Sequence, residues 1–88
     1  MKGVYSIGDA EAELIEAQVL STSPISGRKI EDIEFPKGVL VGAIQSGNDI
    51  IAPVASTVLK DGDVIAIFAL SQDVSEVERL LQVSIDFF

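Results

Sequence analysis

Residues Gly38 to Leu70 read GVLVGAIQSGNDIIAPVASTVLKDGDVIAIFAL, and this stretch decides the fold. It holds two long apolar, partly β-branched runs, Val39–Ile44 and Val64–Leu70, with a shorter run, Ile50–Val54, between them. Turn formers punctuate the runs: Ser46-Gly47-Asn48-Asp49 after the first, Lys60-Asp61-Gly62-Asp63 before the last. Runs of this kind bounded by Gly, Asn and Asp read as strands, and the short turns favour antiparallel pairing. In a regular strand Val39, Val41 and Ala43 point one way and Leu40 and Ile44 the other, while Ile65 and Ile67 oppose Val64, Ala66 and Phe68. Both faces are then apolar. A sheet with one wet face would alternate apolar with polar residues. Both sides of this one need a cover, and a chain of 88 residues has little to supply it.

Upstream, Ile15, Ala17 and Val19 alternate with Glu16 and Gln18, which predicts a half-buried strand over Ala12–Leu20. Ser21-Thr22-Ser23-Pro24 ends it. Ser26 is placed to cap a short helix running to Ile33, with Ile30 and Ile33 on one side of it. Phe35-Pro36-Lys37-Gly38 then leads into the central runs. Downstream, Asp73 with Glu76 three positions on resembles a capping pair, and Val74, Val77, Leu80 and Leu81 form one apolar helical stripe. The chain closes on Val83-Ser84-Ile85-Asp86-Phe87-Phe88. Residues 1–11, with Gly3 and Gly8, read as a tail or linker remnant, leaving 12–88 as the domain. The expected architecture is α+β: a small β-α-β-β-β-α domain, a mainly antiparallel sheet with helices packed on one face.

Composition narrows the chemistry. There is no cysteine and no histidine, which removes thiolate chemistry, the commonest metal ligand and the usual general base. A net charge of −8 argues against nucleic acid and anionic membrane surfaces as partners. No apolar run approaches the ~20 residues of a membrane-spanning helix. Gly38 and Gly42 are not followed by a phosphate-loop Lys, and no G-x-G-x-x-G occurs. The acidic pairs Glu31/Asp32 and Asp61/Asp63 lack the further oxygen ligands of a calcium loop, so turn chemistry explains the second pair better than a metal. Nothing here assembles a nucleophile, a base and an orienting group, and no enzymatic activity is expected.

Two kinds of contact remain. Arg28 and Lys29 form the one basic pair and are the candidates for an anionic ligand. The two-faced apolar runs leave more surface than two helices cover, and such a face marks an interaction site. A homodimer is therefore expected, two-fold pairing being the commonest closure. Val39, Val41, Ile44, Ile65 and Ile67 are taken as its interface.

Several phrases resemble the TrkA-C (RCK-C) domain of Trk potassium-uptake regulators: GDAEAELIEAQVL, SPISGRKIEDIEFPKGVLVGAI, IIAPVASTVLKDGDVIAIFA and VERLLQVSIDFF. The most specific parts are the Pro24-x-x-Gly27-x-x-Ile30 lead-in, Pro53 followed by the Gly62-Asp63 turn, and the closing QVSIDFF. That ending resembles the C-terminus of such regulators, which would make the chain a piece of a longer subunit. The resemblance implies a cytoplasmic regulatory module, peripheral to the membrane, that senses a ligand or drives oligomerisation. Its implied partners are an NAD- or ATP-binding Rossmann domain upstream and a potassium-transporting membrane subunit. No cofactor is implied for this domain itself. Some related domains bind cyclic di-AMP at the dimer interface through an arginine near the end of the strand equivalent to Val39–Ser46. Here that place is held by Ser46, after Gln45, so Ser46 joins Arg28 and Lys29 as a candidate ligand contact. The alternatives are a dimerisation module with no ligand, or a soluble accessory domain of another ion or dicarboxylate transporter.

Overall fold

The structure, a computed structural model, describes residues 3–8 and 11–81. Among these residues five strands form one sheet: β1 (Gly3–Ile7), β2 (Ala12–Gln18), β3 (Val39–Ser46), β4 (Asp49–Ile51) and β5 (Val64–Leu70). Their order across the sheet is β1-β2-β5-β3-β4, and every neighbouring pair is antiparallel. The one α-helix among the described residues, α1 (Val74–Leu81), follows β5 through a 3-10 turn at Ser71–Asp73. The α+β class and the antiparallel sheet agree with expectation. The closing residues 82–88 lie outside the described residues.

Three details differ from the sequence reading. Within the expected tail, Gly3–Ile7 is a strand, paired along its length with β2 so that Val4 lies opposite Ile15. The helix expected from Ser26 to Ile33 is absent except for one 3-10 turn, Ile30–Asp32. Gly27 takes φ +80°, which a right-handed helix excludes. The backbone groups that a helix would use internally go to residues 55–59 instead. Gly27 N–H donates to the Leu59 carbonyl at 2.7 Å, Leu59 N–H to Arg28 at 2.9 Å and Ile30 N–H to Thr57 at 2.9 Å. The third difference is in β4, Asp49–Ile51, which takes only Ile50 and Ile51 of the expected Ile50–Val54 run. Pro53, which has no N–H to give a ladder, follows one residue later, after Ala52.

The core lies on one side of the sheet. Ile15 and Ala17 of β2, Ile65, Ile67 and Ala69 of β5, and Val41 and Ile44 of β3 face it. Val77 and Leu81 of α1 cover them, and Val19, Ile25, Ile33 and Leu59 from the connections close the margins. Val41 and Ile44 share this face because the β3–β5 register shifts between Val41 and Ala43. Gly42 is the extra residue of a β-bulge, so the parity assigned to a regular strand reverses beyond it. The buried Ser23 hydroxyl donates to the Leu80 carbonyl at 2.8 Å and accepts from Ile25 N–H at 3.3 Å. It thereby satisfies an orphan carbonyl in the last turn of α1 and ties the β2–β3 connection to it.

Candidate functional site

Helix α1 covers one face of the sheet, and the other face carries the exposed apolar side chains. Leu40 is 65 % exposed, Phe68 42 % and Leu70 44 %. The strand registers arrange this outer face in rows. Leu14, Phe68 and Leu40 stand opposite one another across β2, β5 and β3. The next row is Glu16, Ala66 and Ala43. The row after it is Gln18, Val64, Gln45 and Ile50, the last on β4 and 71 % exposed. Large side chains thus border a row of small ones. A depression of about 110 Å³ lies over Ala43 and Ala66, with Ile50, Val64, Gln45 and Glu16 around it.

Gly42 shapes the border of that depression. A Cβ built there would stand 2.8 Å from Cε2 of Phe68, so the phenyl ring occupies the space a side chain would take. The bulge therefore reverses the parity of β3 and also seats the Phe68 ring low on the sheet. A second, larger concavity of about 240 Å³ lies beside the first half of β3, lined by Ile30, Phe35, Leu40, Pro53 and Val54 among others. It is apolar, and no charged side chain lines it.

The expected interface residues are corrected by this geometry. Val41 is 9 % exposed, Ile44 1 %, and Ile65 and Ile67 0 %, all within one copy and beneath the α1 side. They form the core and are not surface. Val39 is half-buried and packs against that core. On the opposite face Leu40, Phe68, Leu70 and Ile50 are exposed. For Ile44, the one of these residues beyond the bulge, Gly42 is the signal, because a glycine inside a strand pattern suggests a bulge and a change of parity.

The candidate ligand residues are dispersed among the described contacts. Arg28 and Lys29 are exposed on the segment beside residues 58 and 59, with Lys29 in an isolated bridge to Val58. The Arg28 guanidinium donates to the Asp32 carbonyl in its own loop. Ser46 closes the β3–β4 hairpin opposite Asp49, next to Gly47 at φ +60°. None of the three lines either concavity. Asp63 is buried, and its Oδ2 accepts the Lys60 N–H at 3.0 Å, so this carboxylate serves its own turn. On α1, Arg79 Nε donates to Glu76 Oε1 at 2.9 Å. That bond holds the Glu76 carboxyl below its usual range and raises Arg79. Both groups are solvent-facing. What this pair adds to stability is present above the Glu76 range, fades as pH falls through it, and is small for an exposed pair.

Comparison with known proteins agrees with this architecture. The family model described as the TrkA-C domain matches residues 14–82. The Trk system potassium uptake protein TrkA of Azorhizobium caulinodans is 40 % identical over 88 residues, covering 100 % of this chain and 19 % of that protein. The TrkA protein of Haemophilus influenzae is 38 % identical over 91 residues, covering 99 % of this chain and 20 % of its own length. The chain therefore spans about a fifth of the curated relatives it matches. A solved structure described as "Structure of RCK domain with cda" superposes with a TM-score of 0.67 at 24 % identity, covering 77 % of this chain and 96 % of that one. No helix among the described residues is long and apolar enough to cross a membrane. A family model matched over most of the chain, and relatives aligned along its whole length, agree with one five-stranded sheet under one helix: the chain belongs to the TrkA-C domain family.

Proposed function

We propose that this chain is the regulatory assembly module of a potassium-uptake regulator, acting in the cytoplasm beside a potassium-transporting membrane subunit and paired with a second copy of itself. The observation that carries the reading is the alignment of the whole chain with part of the TrkA potassium-uptake proteins. The apolar outer face supports the pairing, because a contiguous exposed apolar face is unusual on a monomer. In the longer protein this module would work with a nucleotide-binding Rossmann domain. The reading contains no catalytic step.

A chimaera tests it. This chain replaces the matching segment of the Azorhizobium caulinodans TrkA relative in cells lacking their own TrkA. Restored potassium uptake is the expected result, and uptake no better than with the segment deleted overturns the regulatory reading.

Cyclic di-AMP is expected to bind this chain weakly. Ser46 stands where the resemblance implies an arginine, and no contact joins Arg28 or Lys29 to it. A lost charge-assisted hydrogen bond of about 1.5–3 kcal/mol weakens binding by roughly tenfold to more than a hundredfold. Calorimetry giving a sub-micromolar Kd would contradict this. If a phosphodiester does bind, Arg28 and Lys29 are its proposed contacts, and neutralising both should remove the heat signal.

A further inference from the structure

Strand β3 is paired unevenly. Against β5 it is paired from Val39 to Gln45, but against β4 only from Ile44 to Ser46. The second edge of residues 39–43 has no strand beside it among the described residues. Leu70 N–H donates to the Gly38 carbonyl at 2.9 Å, which sets the alternation. Gly38 and Leu40 turn their backbone groups to β5, so Val39 and Val41 turn theirs to the open edge. Val39 N–H donates to the Pro36 carbonyl at 3.1 Å. Among the described residues the Val39 carbonyl and both backbone groups of Val41 have no strand to pair with. The apolar concavity of about 240 Å³ lies along this same edge, lined by Val39, Leu40 and Val41 together with Pro53 and Val54. Open backbone groups beside an apolar slot are what an added strand binds.

We propose that residues 83–87 of this same chain, outside the described residues, lie along the open edge of β3 as a further strand, with Phe87 seated in the concavity. Pattern, reach and charge point to this occupant. Val83, Ile85 and Phe87 alternate with Ser84 and Asp86, the period of a strand with one apolar side. The Ser23 hydroxyl donates to the Leu80 carbonyl at 2.8 Å, and Ile30, which lines the concavity, is seven residues on from Ser23. Turns at Ser23–Ser26 and Ile25–Arg28 shorten that path. Phe87 is likewise seven residues beyond Leu80, and seven extended residues span roughly 23–25 Å. The concavity is within reach. A chain of net charge −8 repels an acidic visitor, whereas 83–87 carry one ionisable side chain, Asp86, on the polar side of the alternation. An enclosed cavity of ~150 Å³ holds benzene, so about 240 Å³ has room for a phenyl ring. A segment of the same chain also docks without the entropy cost of joining two molecules.

The chain has no cysteine of its own, so an introduced pair shows where the segment lies. Val54→Cys/Phe87→Cys, oxidised at micromolar concentration, is expected to close an intrachain disulfide roughly tenfold or more faster than Thr22→Cys/Phe87→Cys. Thr22 is exposed and adjoins Ser23, which touches the last turn of α1, so a segment ranging freely would find it first. Closure at Val54 no faster than at Thr22 overturns the proposal. Disulfides formed chiefly between chains overturn it too, giving the concavity to another copy's segment. Circular dichroism of the reduced variants checks folding, and if Val54→Cys loses the sheet signal Ala55→Cys takes its place. Amide exchange tests the pairing itself. The Val41 N–H should exchange roughly tenfold or more faster in Ile85→Ala/Phe87→Ala than in the parent, while the Ile67 N–H at the centre of the sheet keeps its rate. An unchanged Val41 rate, or one that rises together with that of Ile67, overturns the added strand.

Discussion

Ile67→Ala is expected to destabilise the chain by about 2–5 kcal/mol, the usual range for truncating a fully buried isoleucine. Ile67 has no exposed surface, lies on the central strand β5, and faces Ile15 on one side and Val41 on the other. Alanine leaves a cavity at the most enclosed part of the sheet, where rigid strands on both sides limit collapse. For a chain of this size each kcal/mol lowers Tm by about 4–8 °C, so the fall should be 10 °C or more. The concentration dependence decides the residue's role. A core residue lowers Tm by the same amount at every protein concentration, whereas an interface residue would matter only where copies associate. Ile67→Ala melting with the parent in dilute solution would return Ile67 to the surface and overturn the burial of this face. Phe68→Ala, one position on but on the outer face, should cost much less in the same dilute melt.

Gly62→Val should be the next most damaging single change described here. Gly62 lies in the turn that launches β5, at φ +90°, where a β-branched residue is heavily strained. A Cβ there meets nothing within 4 Å, so the penalty is purely one of backbone conformation. About 1–3 kcal/mol is the usual cost of forcing a residue into a sparse region. The turn is also tied down: Gly62 N–H donates to the Val19 carbonyl at 2.8 Å, and Val19 N–H donates to Asp63 at 2.7 Å. Distorting it loosens the start of β5 and the end of β2 together. Asp63→Asn keeps an oxygen acceptor for the Lys60 N–H and should be much milder, within about 1 kcal/mol of the parent. Thermal melts of both variants beside the parent decide the matter. Gly62→Val melting with the parent while Asp63→Asn collapses would mean that the Asp63 charge, and not the Gly62 backbone, holds this turn.

The parts of the fold legible in the sequence are those where one periodicity acts alone. Val64–Leu70 is an unbroken apolar run between turn residues, and the strand has those bounds. The stripe of Val74, Val77, Leu80 and Leu81 has helical spacing, and α1 follows it. Misreadings arise where a local signal competes with a distant partner. Ser26 and the Ile30/Ile33 spacing suggest a helix, but the backbone of 27–31 is claimed by residues 55–59, which local sequence does not reveal. Gly3-Val4-Tyr5-Ser6-Ile7 is short and flanked by glycine, and its strand character depends on β2 lying beside it. The candidate surface was misplaced because apolar runs on both faces do not say which face α1 covers; the Gly42 bulge adds Ile44 to the same core face as Val39 and Val41. Arg28, Lys29 and Ser46 were chosen by residue type, and type alone does not bring them together.

The position of β5 also governs how this chain comes to be folded. Among the described residues it is the last strand made, yet it lies third across the sheet, and β2 and β3 are joined in the ladder through it. Its pairing with β2 closes at the nearest between Gln18 and Val64, so a long intervening loop is ordered before that pairing returns any free energy. Until Leu70 has been synthesised, β1 with β2, and β3 with β4, are two separate hairpins, each marginal in water. Folding should then be slow for so small a chain and nearly all-or-none, with no stable half-sheet on the way. During synthesis, the apolar flanks of both hairpins stay uncovered until this one strand arrives between them.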